Sequence, residues 1–378
     1  MSARVVATAA LLVTLLAWPV FAGVLPEERA DILYHSYDGG GVQISGPSLL
    51  VRKSAGKNFS LAANYYVDSV SSASIDVVTS ASPYKEERTQ ESLDATYLHG
   101  KTLMSMGYMT SVENDYEAKT AHFTVSQDMF GDLTTVTLGY SRGWDVVGRT
   151  GDPEFSEDTD RRSYSMGVSQ IITKNMLLGL EFESITDEGF LNNPYRSVRY
   201  LDPQSAQGYS YEPELYPHTH TSGAFAARTR YYLPWRAALS AQYRYYNDTW
   251  DVTAHTGEVG YTHPLKNGIL LDFSYRYYTQ TQADFYSDLF PRAEAFNFRA
   301  RDKELSAFSS QALHVGATYD IARGGWKFIE KGTVNLYLDH MMFQYDNFRD
   351  LTQPAAPGEE PLYHFDANVL QFFVSFWY

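Results

Sequence analysis

Apolar and polar residues alternate along most of this chain with a period of two, not the 3.6 of a helix. Over residues 58–68 one face carries Phe59, Leu61, Ala63, Tyr65 and Val67. The other carries Asn58, Ser60, Ala62, Asn64 and Asp68, with Tyr66 the exception. Over 269–278 the apolar face is Ile269, Leu271, Phe273, Tyr275 and Tyr277, opposite Leu270, Asp272, Ser274, Arg276 and Tyr278. The same alternation runs through 237–246, 313–321, 334–342 and 370–378. Stretches of about ten alternating residues are the length a tilted strand needs to cross a bilayer. The pattern predicts an all-β protein, a closed antiparallel transmembrane barrel, because strands in lipid must leave no unpaired edge.

The connections alternate as well. Tight links at 54–57 (SAGK), 173–175 (TKN) and 264–267 (PLKN) follow one strand. Long polar stretches at 69–90, 142–160, 187–219, 280–307 and 344–367 follow the next. Short periplasmic turns and long external loops are the habit of outer-membrane barrels. About fifteen strands count from Val42 onward, an odd number. An even number with both termini on one side requires one more, and residues 30–37 (ADILYHSY) supply it, with Asp38-Gly39-Gly40-Gly41 as the turn. Sixteen strands is the expected count and fourteen the alternative. Aromatic residues cluster near strand ends, among them Tyr65-Tyr66, Tyr231-Tyr232, Tyr245-Tyr246, Tyr277-Tyr278, Trp235, Trp250 and Trp377, as interfacial girdles do. A large soluble β-sandwich would bury such residues and is the less favoured fold. Leu370, Phe372, Val374, Phe376 and Tyr378 share one face up to the last residue. They read as the closing strand and as the signal that barrel-insertion machinery recognises.

The first residues add an export route. Arg4 precedes the apolar run VVATAALLVTLLAWP over 5–19, and Val20-Phe21-Ala22 ends it with small or compact residues where a signal peptidase reads. The run is short for a membrane span and no stop-transfer charges follow. Residues 1–22 therefore read as a cleaved signal peptide and 23–378 as the barrel. Without Arg4, 29 basic residues face 45 acidic ones, a net charge of −16, which argues against nucleic acid as a partner. The chain has no cysteine, which excludes disulfides, thiolate metal sites, c-type haem attachment and a lipidated N-terminal cysteine. Its 30 tyrosines and 15 % aromatic share suit a barrel in which every second strand residue faces lipid.

If the apolar faces point to lipid, the opposite faces line a lumen, and charge gathers there. Glu181 and Glu183 share a face of one strand, Arg228 and Arg230 a face of the next, and Arg244, Glu258 and Arg276 follow on three further strands. Rings of charged side chains select solutes in pores. A salt-bridge ladder that stiffens the interior is the plainer and favoured reading, and the two are compatible. Asp152, Glu154, Glu157, Asp158 and Asp160 offer carboxylates to Ca²⁺ but lack regular ligand spacing and precede Arg161-Arg162, so a solvated loop is expected. His218 and His220 are two imidazoles without a third ligand, and they read as a surface loop. No metal and no cofactor are expected. The chain has no strained G-x-S-x-G turn and no outstanding acid–histidine spacing, so it is not expected to be an enzyme. Stretches 187–219 and 280–307 are long and aromatic, which argues against disorder and suits either a plug or an external docking surface.

Several phrases are distinctive: SASPYKEER at 80–88, Gly143-Trp144-Asp145, RTGDPEFSEDTDRRSYSMG at 149–167, NNPYRSVRYLDP at 192–203 and YRYYTQTQADFYSDLFPR at 275–292. Together, over nearly the whole mature chain, they resemble the bacterial family defined as domain of unknown function 3570. The resemblance implies a barrel-like protein and no catalytic residues, because the family defines none. It also implies neighbours: such proteins occur near thioredoxin-like proteins, small lipoproteins and flavin transferases. That context points to an envelope redox or flavinylated-protein system, with a lipoprotein or periplasmic redox protein as partner.

These readings lead to an outer-membrane channel or export conduit with a charged lumen, embedded in outer-membrane lipid. A non-conducting scaffold for a lipoprotein or redox partner is the alternative. An outer-membrane hydrolase, which needs a Ser or Asp beside a His at the outer rim, comes third.

Overall fold

The computed structural model describes residues 23–72, 84–322 and 325–378. The leader expected at 1–22 lies outside the described residues, as do residues 73–83 of the stretch expected at 69–90. In chain order the strands are β1 (Arg29–Gly39), β2 (Val42–Ala55), β3 (Phe59–Ser72), β4 (Tyr84–His99), β5 (Thr102–Val112), β6 (Tyr116–Met129), β7 (Thr134–Gly148), β8 (Ser156–Thr173) and β9 (Met176–Gly189). There follow β10 (Ser197–Leu201), β11 (Tyr209–Pro213), β12 (Thr219–Tyr232), β13 (Ala238–Asp248), β14 (Thr253–Pro264), β15 (Ile269–Gln280), β16 (Phe308–Asp320), β17 (Lys331–Arg349) and β18 (Leu362–Trp377). Sixteen of them form one closed antiparallel barrel, and β10 and β11 form a separate hairpin. No helix among the described residues is long and apolar enough to cross a membrane. Crossing is left to the strands.

Closure rests on the strand that parity required. β1 pairs with β18 from Arg29 opposite Trp377 to Gly39 opposite Ala367. Its turn to β2 uses Gly40 and Gly41 at φ 57° and 76°, the pair of positive angles that a two-residue type I′ hairpin demands. The seam is tight at its far end: a Cβ on Gly39 would fall 2.2 Å from the Cβ of Ala367.

The period of two sorts the side chains into two environments. On β15, Phe273, Tyr275 and Tyr277 point outward and are exposed, while Asp272, Ser274 and Arg276 point inward. The belt continues through Leu313 and Val315 on β16, Leu336 and Leu338 on β17 and Phe372 on β18. Leaving a large apolar side chain in water forfeits roughly 1.5–3 kcal/mol, so a ring of them is stable only against lipid. The soluble sandwich is excluded by this inside-out pattern.

The end that carries both termini has short links, 56–58, 100–101, 174–175 and 265–268 among them. The opposite end, the loop end, carries 190–218, 281–307 and 350–361. Several expected loops are shorter than the sequence suggests: β3 and β4 take 69–72 and 84–90 of the stretch 69–90. β7 and β8 leave only 149–155 of the stretch 142–160, and β17 and β18 leave only 350–361 of 344–367. Strand ends above the apolar belt remain hydrogen-bonded in the sheet but carry polar side chains, so their composition resembles that of a loop.

Candidate functional site: the lumen and its cap

Six of the seven charged residues expected in the lumen are half-buried on the inward face, in alternation with exposed outward neighbours such as Leu180, Phe182, Phe225, Tyr243, Val259 and Tyr275. The seventh, Arg230, shares the strand face of Arg228 but is itself exposed. Antiparallel register brings Glu181 of β9 to Arg228 of β12 as an ion pair, and Arg244 of β13 lies 3.6 Å from Glu183. Glu258 stands opposite Arg276 in the β14–β15 register. Further round, His314 Nδ1 and Asp339 of β17 are 2.8 Å apart. Arg230 and Arg276 have no carboxylate within ion-pair distance among the described residues. The ladder is therefore real for two pairs and incomplete for two arginines.

These charges are not sealed in. The side chains of Glu183 and Arg244 keep 30 % and 32 % of their surface accessible, and those of Glu181 and Arg228 keep 21 % and 27 %. The adjoining wall, which runs on from β9 through β8 to β5, leaves the space. Inward positions of β5–β8 are mostly small: Ser105, Gly107, Thr124, Gly139, Ser141, Ser163, Ser165 and Gly167. A barrel of this strand number is wide, and short side chains do not fill it.

The loop end is built differently. Inward Tyr246, Tyr278, Phe308, Phe343, Tyr345 and Phe365, with Phe348 at the end of β17, meet Tyr216, Trp250, Phe285 and Tyr286 from the loops in the larger apolar cluster of the described residues. Above it three distant segments are pinned by one arginine. Arg199 of β10 is fully buried. It donates from Nη2 to Asp288 Oδ2 at 2.5 Å, from Nε to the Asp288 carbonyl at 2.9 Å, and from Nη1 and Nη2 to the Glu360 carboxylate at 2.5 and 3.0 Å. Arg301 holds the other Asp288 oxygen at 3.0 Å and lies 4.4 Å over the Phe348 ring. Burial opposes ionisation of Glu360, but the Arg199 hydrogen bonds outweigh it and hold the carboxyl below its ordinary range. Nearby, burial and the charge of Asp302 push Glu214 up to about 7, although it accepts hydrogen bonds from the Arg301 amide and the Tyr216 hydroxyl.

Sequence reasoning missed this cap network. Its members are 89 and 161 residues apart, and no local period connects them. The available signal lay in the family phrases themselves, since 192–203 carries Arg199 and 275–292 carries Asp288.

The other expected sites resolve simply. His218 Nδ1 lies 3.0 Å from the Gly189 carbonyl, whereas His220 sits between Asp187 at 3.3 Å and Asp248 at 3.0 Å, with Trp250 packed at 4.2 Å. The two imidazoles thus have separate partners. His220 has two carboxylate partners, and both of its ring nitrogens are engaged. In the acidic stretch, Asp160 lies in β8 and pairs with Arg142 at 2.6 Å and Arg162 at 3.1 Å, so it is part of the sheet rather than a loop. Glu86, Glu113 and Asp115 place carboxylate oxygens within 4.8 Å of one another. Burial and the charge of Glu86 push Glu113 up to about 7, which relieves that repulsion by proton uptake.

With this geometry in hand, comparison with known proteins places the chain. The family model for a protein of unknown function (DUF3570) matches residues 75–337. The chain belongs to that family. Comparison with curated proteins gives no match. Among solved structures it is similar to a bacterial polysaccharide outer membrane secretin, at 8 % identity over 95 % of this chain and 99 % of that one, with a TM-score of 0.51. It is also similar to the CymD monoaromatic hydrocarbon channel (7 % identity, 94 % and 89 % covered, TM-score 0.45). A Pseudomonas aeruginosa FadL homologue gives 8 % identity, 94 % and 91 % covered, and a TM-score of 0.43. At these identities the likeness concerns the fold, which is that of an outer-membrane β-barrel.

Proposed function

We propose that this member of the family is an outer-membrane channel or conduit, exported by the leader at 1–22 and inserted through its C-terminal strand. The observation that carries the reading is the accessible charge inside the barrel: the side chains of Glu183 and Arg244 keep about a third of their surface free, beside an adjoining wall of Ser, Thr and Gly on β5–β8. Charged groups in a lumen that holds water remain hydrated and set a field for passing solutes. Liposome swelling with neutral solutes of graded size tests it. Size-dependent uptake through the purified protein is expected, and liposomes that stay impermeable to all of them would refute a conducting lumen.

A second reading has its own observation. The cap that Arg199 pins onto the aromatic cluster covers one side of the loop end, as a docking platform or plug would. On that reading the barrel is a scaffold for a lipoprotein or redox partner, consistent with the envelope redox context that the family resemblance implies. Neither reading includes a catalytic step.

A further inference from the structure

Gly23 lies at the end of the barrel that carries both termini, beside β6 and the β4–β5 turn. Its backbone N–H donates to Asp128 Oδ2, and the other oxygen of that carboxylate accepts from Thr135 Oγ1 at 2.6 Å. A Cβ on residue 23 would come 3.2 Å from the Cα of Lys101, so the close approach favours glycine. Asp128 is only 4 % exposed. It has no cationic partner among the described residues, because the neighbouring Lys101 pairs with Asp132 at 2.5 Å. A buried carboxylate held by one amide and one hydroxyl is short of positive charge.

The missing charge has a source. The bond expected to be cut on export joins Ala22 to Gly23. Hydrolysis adds water across it: Ala22 leaves with a carboxylate, and Gly23 keeps its nitrogen as an amine that is largely protonated near neutral pH. That nitrogen is the atom already on Asp128. We infer that removal of the leader creates a salt bridge between the Gly23 α-ammonium and Asp128, which clamps the mature N-terminus as a strap at this end of the barrel. The inference rests on the reading of 1–22 as a cleaved leader.

The strap is held at its other end too. Glu28 pairs with Lys53 and accepts from the Ser54 amide at 3.2 Å on β2. From β1 to β6 is five inter-strand steps, about 24 Å along the rim at ~4.8 Å each. The chain from Gly23 to Arg29 spans at most about 20–22 Å. It therefore runs as a nearly extended chord inside the rim rather than following it, and the clamp narrows the mouth beneath the lumen.

The test has two arms. N-terminal sequencing of protein taken from outer membranes should begin at Gly23, and any other start would overturn the leader boundary. Separately, full-length mature chains are refolded with either Gly23 first or one serine placed before it, each with Asp128 intact or as Asp128→Asn. Urea unfolding is read by the heat-modifiable gel shift. Asp128→Asn should lower the folding equilibrium constant roughly tenfold or more when Gly23 is first, and clearly less when serine precedes it. Equal losses in the two backgrounds would overturn the clamp whatever the processing site. If Asp128→Asn does not fold, the two intact chains suffice: the serine-extended one should be less stable by a similar factor, and equal stability would overturn the clamp.

Discussion

Replacing Arg199 by methionine keeps an unbranched apolar stem and removes the guanidinium, with its charge and all four hydrogen bonds to Asp288 and Glu360. The two carboxylates remain: Asp288 keeps Arg301 and the Arg349 amide as donors, and Glu360, 4 % exposed, keeps the Gly358 amide. Breaking a fully buried ion pair from one side costs about 3–5 kcal/mol. At about 1.4 kcal/mol per decade, the equilibrium for opening the cap should rise by roughly two to nearly four orders of magnitude. The loss should be local, because the barrel's own hydrogen bonds do not depend on Arg199. Four amides report on the cap. Leu201 donates to the Phe290 carbonyl at 2.9 Å, Phe290 to Arg199 at 2.9 Å, Leu215 to Arg299 at 2.9 Å and Arg299 to Leu215 at 2.8 Å. Hydrogen exchange of these amides in detergent or nanodiscs, for wild type and Arg199→Met, gives the opening free energy directly. Protection unchanged to within tenfold would refute the latch. Equal loss across the β15–β16 ladder would refute its locality.

Arg244→Glu and Arg276→Glu should each move the reversal potential in a salt gradient toward cation selectivity, and unchanged potentials in both would remove these arginines from any selectivity role. Glu214 titrates at about 7 in the fold, above its ordinary 4.5. The folded cap therefore binds more protons than the open one between those values, and its stability should fall as pH rises through that window. Cap-amide exchange, corrected for intrinsic rates, should show more opening at pH 8 than at pH 5.5, and Glu214→Gln should flatten the difference. Leu338→Arg, outward between Val315 and Leu370, should cost about 2–4 kcal/mol in urea unfolding in bilayers, as a charge on the lipid face does. Equal tolerance of arginine there and at inward Ser274 would contradict the assignment of faces.

The barrel was legible because its rule is local. Alternation in 269–278 already separates Phe273 and Tyr275 from Asp272 and Arg276, and lipid outside makes that separation strict. The first strand, with His35 and Asp38 amid its apolar residues, was legible only through parity. Inward placement of Glu181, Glu183, Arg228, Arg244, Glu258 and Arg276 followed from the same alternation. Pairing did not, since it depends on register between strands: Glu183 meets Arg244 diagonally, across β12. Strand ends at 142–148 and 156–160 read as loop because polarity there reflects height above the belt, not loss of pairing. The cap was illegible for the opposite reason. Its order comes from a few contacts of great sequence separation, which leave no periodic trace.

The central claim is that water and ions pass through the charged lumen. Single-channel recording of the purified, refolded mature protein in a planar bilayer addresses it most directly. Discrete, charge-selective open levels are predicted, with larger or more frequent openings in Arg199→Met. A verified folded barrel that stays silent, with and without the Arg199 latch, would contradict the channel and leave the capped scaffold as the account of this protein.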